Sequence, residues 1–142
     1  MKKIDELGAS LREALESATA VAQESPAVFR HGAVLFKGRK ILKAGCNEYR
    51  AVRWAWPSSF VQEEDGELSQ IRLNNMHAEV SCMHNVRREN IRGSDILVVR
   101  INNQGTLMYS RPCKRCMCAM ALKKVRRCYF SVDSETIGIV QP

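Results

Sequence analysis

Two apolar runs enclosing a helix, late in the chain, restrict its architecture more than any other feature. "DILVVRI" (Asp95 to Ile101) reads as a buried strand, and "RCYFSV" from Arg127 as another. Between them Pro112 begins a helical stretch that reaches about Lys124. A strand, a crossover helix and a second strand imply parallel pairing. Earlier, "HGAVLFKGRKILKAGCN" holds two short apolar runs, Ala33 to Phe36 and Ile41 to Ala44, around Lys37-Gly38-Arg39. That pattern predicts an antiparallel hairpin. A mixed sheet covered by helices follows. Apolar positions from Leu7 to Ala22 recur at helical spacing, predicting a helix over 4–23 that Ser25-Pro26 ends. Met76 to Arg88 reads as another helix, Leu107 to Tyr109 as extended, and "TIGIV" as a last short strand. Residues 48–75 show no sustained period and contain both tryptophans. A long irregular stretch inside a compact domain is usually functional or disordered.

The chemistry-bearing residues sit at two predicted helix starts. Zinc takes three or four N, S or O ligands at about 2.0–2.3 Å, and a catalytic site keeps one position for water. Cys113 and Cys116 in "RPCKRCMC" are three apart in a first turn, so both sulfurs fall on one helix face. Pro112 suits the first helical position, and the positive helix end is expected to lower both thiol pKa values. His77 opens the preceding helix. If the two helix starts point at a common place, His77 becomes the third ligand. Glu79 then faces the water as a proton shuttle. An alternative closed, structural site would draw on Cys82, His84 or Cys118. Cys82 is about 140° around the helix from His77. His84 lies on the His77 face but two turns deeper, and reads as a packed core histidine. Cys46 and Cys128 end strands and read as small buried residues.

His77-Ala78-Glu79 followed by Pro112-Cys113-Lys114-Arg115-Cys116 resembles the H-x-E and P-C-x-x-C signature of the zinc deaminases. The order of elements over roughly 28–131 is similar to the cytidine deaminase superfamily. The resemblance implies a three-layer α/β/α fold with a mixed sheet of about five strands. It implies one zinc deaminase domain over 1–142, with a substrate-side insertion at about 48–75. Zn2+ would be held by His77, Cys113 and Cys116, with Glu79 catalytic. Asn47, ending the Gly-x-Asn that closes the hairpin, would hydrogen-bond substrate. Ala78 would offer its backbone N–H to the pyrimidine carbonyl.

Composition enters where partner and substrate are at issue. The net charge is +7 and the pI near 9.3, a balance that favours phosphate-bearing partners. Acidic residues follow the first lysines at once, and no apolar run resembles a secretory signal or a membrane span. The expectation is therefore a cytoplasmic protein without membrane association, its six cysteines reduced. About thirty residues separate Asn47 from His77, a spacing similar to the deoxycytidylate deaminases, and at 142 residues the chain resembles compact viral members of that group. The glycine-rich stretch that many of them carry after Gly-x-Asn is absent here. Arg50, Arg53 and Trp54 in the insertion suit a 5′-phosphate and a base or sugar face. Arg111, Lys114 and Arg115 surround the second helix start, where one of them could reach a phosphate. The resemblance thus implies deamination of a free cytosine nucleotide, dCMP and with it dCTP, by a homo-oligomer. The alternatives are a deaminase of tRNA or single-stranded DNA and a nucleic-acid-binding module with structural zinc.

Overall fold

The computed structural model describes residues 1–48 and 76–142. Strand β1 (Lys2–Lys3) and a 3₁₀ turn (Ile4–Glu6) lead to helix α1 (Ala9–Ala22), then the hairpin β2 (Arg30–Lys37) and β3 (Lys40–Cys46). After 49–75 come α2 (Ala78–Met83), α3 (Arg88–Ile91), β4 (Asp95–Ile101), β5 (Leu107–Met108), α4 (Lys114–Leu122), β6 (Arg127–Ser131) and β7 (Thr136–Val140).

These strands form one sheet in the order β1-β7-β6-β4-β2-β3, with β5 also paired to β4. As the strand-helix-strand pattern requires, β4 and β6 run parallel, with Asp95 opposite Arg127 and Val98 opposite Phe130. The other pairs are antiparallel. The sheet has seven strands among the described residues, not about five. The additional ones are two-residue strands that extend or flank longer neighbours, β1 on β7 and β5 on β4. Lys2–Lys3 carries no alternation from which to read a strand; Leu107–Met108 lies in the stretch expected to be extended, and its pairing with β4 makes it a strand.

Period-two alternation divides the core into two layers. Leu35 of β2, Ile96 and Val98 of β4, and Cys128 and Phe130 of β6 face α2 and α4. Val34, Phe36, Leu97, Val99, Ile101 and Tyr129 face Leu11, Ala14, Leu15 and Ala18 of α1. This is the three-layer α/β/α arrangement.

Three helices differ from their expected spans; α4 covers Lys114–Leu122 of the expected Pro112 to Lys124. The first begins at Ala9 because Gly8, extended, is its N-cap. The residues before it instead tie down the β7 edge, with Ile4 N donating to Glu135 O at 2.8 Å. The expected Met76 to Arg88 helix stops at Met83. Asn85 adopts φ 63°, the left-handed conformation that ends helices, and α3 starts separately. Gly45 of β3 lies directly under α2, where an added Cβ would run into the side chain and backbone of Ser81. Only glycine lets the helix that begins at Ala78 lie this close to the sheet.

Candidate active site

The two helix starts do meet. His77 is the N-cap of α2 (φ −68°, ψ 155°) and Cys113 the N-cap of α4 (φ −71°, ψ 166°), so both side chains leave from extended backbone. Pro112 therefore stands before the cap and not at the first helical position. Cys113 keeps its carbonyl for Met117 N at 2.9 Å, and Cys116 lies in the first turn. His77 Nδ1 is 3.2 Å from Cys116 Sγ and 3.7 Å from Cys113 Sγ. The three ligand atoms lie within 4.8 Å of one another. A tetrahedral ion with ligands at about 2.0–2.3 Å separates them by roughly 3.3–3.8 Å, so this donor set fits zinc. Among the described residues no other trio of His, Cys, Asp or Glu is gathered in this way.

The segment entering α4 is held from the sheet. Ser110 Oγ donates to Val98 O at 3.0 Å and lies 2.7 Å from Ser131 Oγ, which donates to Met108 O at 2.6 Å. Both serines are buried, so this network sets where Arg111, Pro112 and Cys113 leave the β4–β6 junction. Nothing in the periodicity of the sequence singles them out.

Electrostatics around the trio are uneven. Hydrogen bonds from Cys116 and then His77 outweigh burial and hold the Cys113 thiol down to about 4. Cys116 is pushed up, because it gives its proton to that bond and is buried. The expected lowering thus applies to Cys113 alone; binding of a metal here would require the Cys116 proton to leave. Glu79 is 5% exposed, and burial raises its pKa against the opposing pull of His77.

A cavity of 380 Å³ opens beside this cluster, lined by Asn47, His77, Ala78, Glu79, Arg111 and Cys113 among others. It lies outside the carboxyl ends of the parallel pair, where open α/β sheets place ligands. Ala78 is fully buried, and its N–H is one of the first in α2, which have no acceptor within the helix. The Asn47 amide fastens the 25–31 segment: Nδ2 donates to Phe29 O at 2.8 Å, and Oδ1 accepts from His31 N at 3.0 Å and from Ser25 Oγ. Lys114 is exposed and Arg115 is 5% exposed; neither lines the cavity. Arg50, Arg53 and Trp54 lie outside the described residues.

The remaining candidate ligands stand apart. Cys82 is buried and donates to Glu79 O at 3.1 Å. Cys118 is exposed and Cys128 buried. His84 caps α2 half-buried, with its ring Nδ1 buried and its carbonyl accepting from Lys43. Cavity residues missed from the sequence include Val28, Phe29 and His31. Burial lowers the pKa of His31, whose Nδ1 is 3.2 Å from Phe29 O.

Comparison with known families matches residues 9–132 to the cytidine and deoxycytidylate deaminase zinc-binding region. Comparison with curated protein sequences gives no match. Among solved structures, the chain is similar to dCMP deaminase from the cyanophage S-TIM5, crystallised in complex with dCMP and dUMP. The TM-score is 0.53 and the identity 20%, over 88% of this chain and 83% of that one. At that identity the likeness shows the fold.

Proposed function

This chain belongs to the cytidine and deoxycytidylate deaminase family and is a zinc-dependent deaminase, and on that premise we propose that it hydrolyses a free cytosine nucleotide, dCMP first and dCTP second, to the uracil nucleotide and ammonia. The observation that carries this reading is Glu79, buried at the cavity wall beside the His77, Cys113 and Cys116 trio. Those three residues hold the zinc, and the bound ion supplies Lewis-acid activation of the attacking water.

The chain's own residues do the rest. Glu79 accepts a proton from the water and delivers it to the ring nitrogen next to the amino-bearing carbon, while the water oxygen bonds to that carbon. The remaining hydroxyl proton returns through Glu79 to the amino group, the carbon–nitrogen bond breaks, and ammonia departs. Two protons leave water and two leave with or on the products, so Glu79 ends as it began. Such proton transfer contributes typically ~10²–10⁴ in rate. Ala78 offers its N–H to the pyrimidine carbonyl. Asn47, on the cavity wall with one Nδ2 hydrogen not taken by Phe29 O, hydrogen-bonds the substrate. Arg111, at the cavity edge, takes the 5′-phosphate, a guanidinium being suited to paired oxygens. Arg50, Arg53 and Trp54 of the insertion, outside the described residues, have the chemistry for a phosphate and a base or sugar face.

In the same reading residues 1–142 act as one deaminase unit in the cytoplasm, as a homo-oligomer. No described helix is long and apolar enough to cross a membrane. Phe29 is 59% exposed and Tyr109 50%, apolar surface that a second copy would cover; light scattering in solution measures the copy number. The substrate test is ammonia release from dCMP, dCTP, CMP, cytidine, adenosine and a short cytosine-bearing oligonucleotide. Fastest turnover of dCMP supports the reading. Preference for the oligonucleotide overturns it in favour of a polynucleotide deaminase.

A further inference from the structure

A second hollow lies at the other end of the parallel pair. It measures 460 Å³ and is lined by Arg88, Glu89 and Arg92 from α3, and Leu122, Lys123 and Lys124 from the end of α4. Asp95 begins β4 beside it, and Ile101 ends β4 beside the catalytic cavity. Six steps of ~3.3 Å put the two roughly 20 Å apart. We propose that this hollow is a binding site for a compact anion built of two or more linked phosphates.

Four cations and one acid line it, and the acid already has a cation as partner: Glu89 pairs with Arg87 at 3.7 Å. Among the described residues Arg88, Arg92 and Lys124 form no ion pair. Their neighbours Arg126 and Arg127, by contrast, share Asp95 at 2.7 and 3.8 Å. Like charges facing one another across a hollow are unfavourable without an anion between them. Lys123 feels this: burial first, and then the charge of Arg88, lowers its pKa.

The walls are preformed. Gly93 N donates to Lys124 O at 2.8 Å and Arg126 N to Ser94 O at 2.7 Å, fastening the end of α3 to the end of α4. Lys124 itself has φ 64°. Val125 N reaches Met120 O at 3.0 Å and Lys124 N reaches Ala121 O at 3.1 Å, a helix ending whose left-handed position strongly favours glycine. A lysine there is an unfavourable backbone choice, explained if its ammonium is used. A cation at a helix C-terminus also suits the helix dipole. That account says nothing of Arg88 and Arg92 on the facing wall. Among the described residues the basic lining is confined to α3 and the end of α4 and shares no residue with the catalytic cavity. It therefore suits concentrated charge better than a strand with one charge per nucleotide.

The test is calorimetric titration of the zinc-loaded protein with pyrophosphate, tripolyphosphate, orthophosphate and sulfate, with zinc content checked before and after. The expected result is saturable binding of the linked phosphates at one site, about tenfold tighter than orthophosphate. Arg88→Ser with Arg92→Ser should weaken it about tenfold or more. Lys124→Gly is the variant that cannot fail by misfolding, since glycine prefers the left-handed position. It should unfold at the same or a higher temperature and still bind linked phosphates about tenfold more weakly. Displacement by a nucleoside triphosphate assigns the phosphates to a nucleotide tail; displacement only by longer inorganic chains assigns them to polyphosphate. Equal affinity in wild type and all variants overturns the proposal, as does a short single-stranded oligonucleotide that displaces pyrophosphate better than either.

Discussion

The two ends of the β4–β6 pair make opposite use of charge. At the carboxyl ends, the catalytic cavity holds Glu48, Glu79, His31 and His77 with Arg111. At the amino ends, the second hollow holds four cations and one acid. The net charge of +7 invites the reading that phosphate is drawn to the reacting centre. Among the described residues, much of that excess gathers about a sheet length away instead. Net charge thus reports a class of partner and not the place where it binds. The catalytic site gathers buried Glu79 and Cys116 with half-buried His77 and exposed Cys113; the hollow gathers cations, three of them exposed.

That contrast can be broken from either side. The largest effect is expected from Cys113→Ala, which removes one of three ligands. Elemental analysis should find zinc lost and turnover gone, while pyrophosphate binding at the hollow stays. Next comes Glu79→Gln, which should retain zinc and fold and lower kcat by ~10²–10⁴. Near-normal kcat would end the proton-transfer assignment. Arg111→Ala should raise KM for dCMP about tenfold while leaving cytidine turnover unchanged; equal losses on both would place the phosphate elsewhere. Smallest is Gly45→Ala. Its added Cβ meets Ser81, and overpacking of this kind costs about 1–3 kcal/mol, read as a lower urea midpoint. If stability is unchanged, the close seating of α2 on β3 is not a constraint.

The longer elements were legible because their periods were unbroken. Asp95 to Ile101 and Arg127 to Ser131 are observed as strands, parallel as the intervening helix demands. What was not legible depends on contacts between distant residues. Pairing of Lys2–Lys3 with β7 gains two residues of ladder at a sheet edge, which no local pattern announces. Asn85 ends α2 through a single left-handed residue inside an apparently helical stretch. At the site, His77, Cys113 and Cys116 were readable as a trio from spacing and type, and they lie within 4.8 Å. Ser110 and Ser131, which place the start of α4, look like any other serines until β4, β5 and β6 bring them together. Lys114 and Arg115 follow a ligand in sequence, yet the helix turns them away from the cavity.

The central claim is that one imidazole and two sulfurs share a single divalent ion and leave a position open beside Glu79. The optical spectrum of the cobalt-substituted protein tests it most directly. The account predicts a tetrahedral spectrum with thiolate charge-transfer bands, abolished by Cys113→Ala or Cys116→Ala and shifted when the deaminated nucleotide product or a substrate analogue is added. A spectrum indifferent to every such ligand would mean a closed, four-coordinate site, and would contradict it.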